Sequence, residues 1–157
     1  PVDVRKTIES AAEGLRDRLA EHDLALEVNT ADDIGSFTAD ERRVRQVLFN
    51  LLSNAIAFSV PGSKISLVAE RRPDAIVLSV QDRGRGIPSE IVDRVFERFE
   101  THSLGSQHRG AGLGLSIVRS FVELHGGAVT LDSVEGQGTT VTCRFPVDRS
   151  GRRVAAE

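Results

Sequence analysis

Apolar residues recur at Val4, Ile8, Ala11, Leu15 and Leu19, the spacing of one helix face, and Asp3 stands where an N-cap belongs. The pattern changes to strand-like alternation over 24–28, breaks in a turn at 31–35, and allows a brief second strand at 36–38. The longest stripe follows. From 40 to 58, Val44, Val47, Leu48, Leu51, Leu52 and Ala55 make one continuous apolar helix face, closed by Ser59-Val60-Pro61-Gly62. Two β-branched runs at 65–69 and 76–80, with Pro73-Asp74 between them, predict a hairpin. Residues 89–99 read as short helical pieces, and periodicity is lost over 100–109. Leu113, Ile117, Phe121 and Leu124 restore a helix that Gly126-Gly127 stops, and strands at 128–131 and 139–145 flank Glu135-Gly136-Gln137-Gly138. Helices followed by hairpins, rather than strict alternation, predict an α+β fold: a two-layer α/β sandwich whose mixed, mostly antiparallel sheet is covered on one face by three helices. One domain over 1–147 and a flexible polar tail over 148–157 are expected.

With 157 residues, of which 39% are hydrophobic and 27% charged, the chain has enough apolar material for one core. A net charge of −3, with basic residues interleaved with Asp and Glu, excludes the one-sided basic stripe of a nucleic-acid binder. The absence of Trp and Tyr removes the usual base-stacking platforms. No apolar run approaches the roughly 18 residues of a membrane span, so no membrane contact by this domain is expected. Cys143 is alone, which excludes a disulfide within the chain and fits a reducing, cytoplasmic setting, with the thiol in the core. No methionine occurs, and Pro1 opens directly on a structured pattern, so a domain cut from a longer protein is expected.

Three segments carry candidate chemistry. In Arg109-Gly110-Ala111-Gly112-Leu113-Gly114-Leu115, alternate glycines run into an apolar helix, so bare backbone N–H groups and the helix dipole would converge on one spot suited to phosphate. A plain hinge has the same pattern. Asn50 and Asn54 lie four apart on one flank of the apolar stripe, where asparagine is intrinsically unfavourable; a carboxamide oxygen suits Mg²⁺, although solvated or capping amides read the same way. Asp82 closes a strand before Gly84 and Gly86, which would let a flat ligand approach the backbone while the carboxylate accepts from an exocyclic amino group such as that of adenine. An ordinary Asp-containing turn is the alternative. Neither glycine stretch matches the dinucleotide fingerprint or a Walker loop.

In order and spacing, these segments resemble the ATP-binding catalytic domain of bacterial sensor histidine kinases, within the group shared with gyrase, the Hsp90 chaperones and MutL. Residues 45–55 are similar to the N box, 82–87 to the first glycine box, and 95–99 (Val-Phe-Glu-Arg-Phe) to the F box. Residues 110–115 resemble the second glycine box, and 136–139 the final turn-and-strand signature. Residues 114–127 are similar to alphaproteobacterial cell-cycle kinases, including the DivL type, in which a tyrosine replaces the acceptor histidine.

The resemblance implies ATP and Mg²⁺ as cofactors, with Asn54 on the metal, Asn50 near the phosphates and Asp82 on the adenine amino group. Gly84, Gly86 and Ile87 would border the base, Thr139 would back its pocket, and Gly110, Ala111, Gly112, Leu113, Gly114 and Leu115 would form the phosphate turn. Residues 100–109 would be a lid from which Arg109 and His108 could reach the γ-phosphate. Where the hydrolysing relatives carry a Glu, this chain has Asn50, an amide without a basic lone pair, so hydrolysis should be slow. The γ-phosphoryl would pass instead to a residue, normally His, on an upstream dimerisation and phospho-acceptor domain of the same protein, and thence to a response regulator or other signalling protein. His22 and His125 lack the acceptor context, and the isolated domain should be monomeric. Ala57 stands where the family commonly has Lys, which implies weaker nucleotide affinity. A pseudo-kinase scaffold that keeps the fold but signals by docking is the alternative.

Overall fold

The computed structural model describes residues 1–86 and 109–147, the side chains of 109–113 excepted. The helical pieces expected over 89–99 and the tail from 148 onward lie outside the described residues. The described elements, in chain order, are β1 (Val2–Asp3), α1 (Val4–Gly14), α2 (Arg16–Glu21), β2 (Ala25–Thr30), β3 (Ser36–Phe37) and α3 (Glu41–Phe58). They continue with β4 (Lys64–Arg72), β5 (Ala75–Asp82), α4 (Arg109–Leu124), β6 (Ala128–Val134) and β7 (Gly138–Pro146).

The sheet runs in the order β2-β4-β5-β7-β6, with β2 parallel to β4 and every other pair antiparallel; β1 and β3 form a separate ribbon. One face is apolar. Ile65 and Leu67 of β4, Ile76 and Leu78 of β5, and Cys143 and Phe145 of β7 are fully buried beneath the helices. Ser66, Ser79, Thr140 and Thr142 alternate with them on the opposite, half-buried face, where the Ser79 and Thr142 hydroxyls lie 3.2 Å apart. This is the expected sandwich, with helices on a single face. Burial holds the Cys143 thiol up at about 12, so it is an inert core group.

The first helix departs from expectation. It breaks at Leu15 (φ −112°, ψ 4°), whose N–H turns back to Ala12 at 3.1 Å. Leu15 is fully buried, whereas α2 contributes no buried residue. Anchoring Leu15 in the core therefore turns the chain, and α2 continues along the surface as a separate piece.

α3 fits its sequence pattern closely. The Asp40 carboxylate accepts from the N–H groups of Arg42 and Arg43, and the stripe from Val44 to Ile56 is buried. The Ser59 hydroxyl donates to the Ala55 carbonyl at 2.6 Å as the helix ends. α4 packs against α3, and at its end the N–H groups of Gly126 and Gly127 bond to the carbonyls of Glu123 and Val122.

Candidate nucleotide site

Asn54 points inward from α3. It is buried, and among the described residues its Nδ2 has no hydrogen-bond partner. A buried amide without a partner costs about 1–3 kcal/mol and calls for a group that satisfies it. One turn earlier, the Asn50 Oδ1 accepts from Gln46 Nε2 at 2.9 Å, and Asn50 Nδ2 donates to the Gly114 carbonyl of α4 at 3.4 Å. A Cβ placed on Gly114 would stand 3.6 Å from Asn54 Oδ1 and 3.8 Å from Asn50 Cβ. The two amides and the start of α4 therefore meet.

β5 delivers Asp82 to the same place. The strand register sets Asp82 opposite Thr139, and both are buried. Burial raises the Asp82 carboxyl to about 6, although it accepts hydrogen bonds from the Gly84 N–H, at 2.9 Å, and from the backbone of Thr139. A small hollow, with a cavity volume of about 20 Å³, lies between α3, α4 and the sheet, with Leu51, Phe58, Val80, Leu131 and Val141 as apolar walls. Asn54, Asp82 and Thr139 are its polar groups, and Leu115 also lines it. An apolar slot with a few convergent polar groups and a perturbed carboxylate is the usual form of a small-molecule site.

The glycines have reasons the sequence did not display. A Cβ on Gly84 would fall 1.8 Å from the Phe58 carbonyl oxygen, because Gly84 bridges to Ser59 just past the end of α3. Gly86 (φ +71°) lies against the Val134 backbone, where a Cβ would be 2.3 Å from the carbonyl oxygen. Both glycines serve close backbone packing that fixes the Asp82 turn. The second glycine segment also differs from the expected loop, since α4 already begins at Arg109. Gly110, Gly112 and Gly114 thus sit inside its opening turns. Gly114 contributes its carbonyl to Asn50.

Ile87, the F box at 95–99 and the lid over 100–108, including His102 and His108, lie outside the described residues. The side chains of Arg109, Ala111 and Leu113 are likewise not described. Sequence reasoning missed Gln46, whose (i, i+4) spacing to Asn50 was a visible signal, and Leu131 and Val141, which only the strand register brings in. It also missed Gly138, where a Cβ would strike the Asp82 carbonyl oxygen at 2.2 Å. His22 is exposed, with Nδ1 2.8 Å from the Arg18 carbonyl. Ala57 is half-buried near the end of α3. Among the described residues no group of three or more His, Cys, Asp or Glu could hold a metal, and no helix is long and apolar enough to cross a membrane.

Residues 39–149 match the family of histidine kinase-, DNA gyrase B- and HSP90-like ATPases, and the chain belongs to that family. Its fold and sequence are those of the ATP-binding catalytic domain of sensor histidine kinases. It is 39% identical over 131 residues to the circadian input-output histidine kinase CikA of Synechococcus elongatus, covering 82% of this chain and 17% of that protein. To the sensor protein DivL of Caulobacter vibrioides it is 39% identical over 123 residues, covering 78% of this chain and 16% of that protein. The crystal structure of full-length ShkA in complex with AMPPNP superposes with a TM-score of 0.82 at 30% identity, covering 94% of this chain and 31% of that one. The chain therefore spans about a sixth of these two curated relatives.

Proposed function

We propose that the hollow binds the adenine of Mg·ATP, and that the domain delivers the γ-phosphoryl group to a histidine on the dimerisation domain of a longer protein, from which a response regulator receives it. The observation that carries this reading is the convergence of an unpartnered buried amide, Asn54, and a buried carboxylate, Asp82, on one apolar slot beside the start of α4. An aqueous anion site would not need the apolar walls, and a lipid pocket would not hold a carboxylate.

Asp82 accepts from the exocyclic amino group, and the branched and aromatic walls exclude water from the base. The phosphates would lie at the opening turns of α4, where the helix dipole favours negative charge. Asn54 would hold the metal through Oδ1, and its unpartnered Nδ2 would donate to a phosphate oxygen. Mg²⁺ fits this donor set, because it takes one or two protein oxygens and completes its shell with water and phosphate, so a multi-residue cage is not required. Bound there, it would neutralise the charge that develops on the transferred group. Asn50 has no basic lone pair with which to activate water, which favours retention of ATP until an acceptor arrives. An AMPPNP complex of a structural relative agrees with this reading.

The test is transfer of labelled phosphate to the parent protein's acceptor domain, with Asn54→Ala as the variant. Transfer by the wild-type domain that drops at least a hundredfold in the variant supports the proposal. Equal rates in the two would overturn the role of Asn54, and binding without transfer would mark a scaffold instead.

A further inference from the structure

We propose that Gln46, an exposed residue one turn before Asn50, is a positioning residue that sets which end of the Asn50 amide faces the nucleotide phosphates. This inference rests on the nucleotide reading above.

A carboxamide has a donor end and an acceptor end of nearly equal shape. Only the donor end attracts a phosphate oxygen. Two contacts orient Asn50. Gln46 Nε2 donates to the Asn50 oxygen at 2.9 Å, and the Gly114 carbonyl draws Asn50 Nδ2 toward the opening turns of α4. The first bond is short and the second is long at 3.4 Å. The long bond is the one that can be exchanged for a phosphate oxygen at little cost, while the short one keeps the oxygen end turned away. Among the described residues Asn54 Nδ2 donates no hydrogen bond to Asn50.

Gln46 also lines an open groove with Asp40, Arg42, Arg43, Ile117 and Phe121, between the start of α3 and the middle of α4. Its side chain is therefore accessible, and its substitution should leave the core untouched. That makes the proposal separable from folding.

The chemistry predicts an unusual order of variants. Lysine at 46 still donates. Alanine leaves Asn50 free to flip. Glutamate accepts only, so it draws Nδ2 to itself and turns the Asn50 oxygen toward Gly114 and the phosphates. The experiment measures MgATP affinity and phosphotransfer for the wild type, Gln46→Lys, Gln46→Ala and Gln46→Glu, each also in an Asn50→Ala background, with far-UV circular dichroism and melting as a fold control. Expected affinities fall about threefold for Gln46→Ala and about tenfold for Gln46→Glu, with Gln46→Lys within about twofold of wild type. In the Asn50→Ala background the three should agree within about twofold, because there is no amide left to orient. A Gln46→Glu loss that persists without Asn50 would mean simple charge repulsion and would overturn the proposal, as would wild-type behaviour of Gln46→Glu. If the wild-type domain itself binds no MgATP, the nucleotide reading fails, a result distinct from either of these.

Discussion

The Nε2 of His125, at the end of α4, accepts the backbone N–H of Asp40, the N-cap of α3, at 3.0 Å across 85 positions of sequence. The ring's Nδ1 lies 2.7 Å from the Phe121 carbonyl, so the neutral tautomer with hydrogen on Nδ1 satisfies both contacts. The ring is buried, edge-on to Phe145, and the Arg43 guanidinium sits 5.4 Å from the Phe121 ring. The two helices that carry the site are thus clasped at one end by His125 and joined at the other by Asn50 and Gly114.

His125→Ala should therefore lower stability by about 2–4 kcal/mol, combining a cavity beside Phe145 with two unmade hydrogen bonds. His125→Phe keeps most of the volume and should cost about 1–3 kcal/mol. Urea unfolding of the three proteins checks both values. A loss in either variant below about 0.5 kcal/mol would mean the clasp is ornamental.

In the proposed nucleotide site, Asp82 would trade stability for recognition. Burial raises its carboxyl from the ordinary 3.8 to about 6 in the folded state, so between those values the native chain binds more protons than the unfolded one. The contribution of this group to stability is then greatest below the lower value, declines as pH rises through the window, and stays constant above about 6. The difference amounts to about 3 kcal/mol as an upper figure. Asp82→Asn should stabilise the apo domain at pH 7 by about 1–3 kcal/mol, a gap that closes toward pH 4, while nucleotide binding falls at least tenfold. Chemical denaturation at several pH values and titration with a fluorescent ATP analogue read the two effects. The wild type should lose affinity as pH falls below about 6, because a protonated Asp82 no longer offers its full acceptor capacity to the adenine amino group.

Two glycine substitutions should diverge. Gly84→Ala sets a Cβ against the Phe58 carbonyl oxygen and should cost about 3 kcal/mol or more, with loss of soluble protein as the measured outcome. Gly114→Ala meets only ordinary contacts inside α4 and should raise the melting temperature, since alanine is about 1 kcal/mol the better helix former. Its methyl group faces the Asn50 and Asn54 amides, so MgATP affinity should drop several-fold in the same protein. A melting temperature that falls in both variants would contradict the distinction.

Asn50→Glu tests why hydrolysis should be slow. A carboxylate there is a base and can still accept from Gln46, so steady-state ATP hydrolysis should rise by about tenfold or more. Phosphate release measured without any acceptor domain decides it. An unchanged rate would show that the choice between water and acceptor is made elsewhere.

Local pattern made most of this legible. The α3 stripe, the β4–β5 hairpin and the strand at 139–145 are written as periodicities of short range, and the Asn50/Asn54 spacing follows from the helical repeat alone. The break at Leu15 was not legible, because it depends on where one side chain finds the core. Gly84 was legible as a glycine but not for its reason, since Phe58 lies 26 positions earlier and meets it only after the sheet forms. Leu131 and Val141 enter the site through the pairing of β6 with β7, which no pattern in either strand specifies. The start of α4 was read as a loop because three glycines in six residues weaken the helical signal, each by about 1 kcal/mol relative to alanine.

The most direct test of the account is a calorimetric titration of the domain with ATP, with and without Mg²⁺, alongside Asp82→Asn and Asn54→Ala. One saturable site is predicted, tighter with Mg²⁺, with the metal-dependent gain lost in Asn54→Ala and affinity at least tenfold lower in Asp82→Asn. Absence of saturable binding at millimolar ATP, or equal binding by all three proteins, would contradict it.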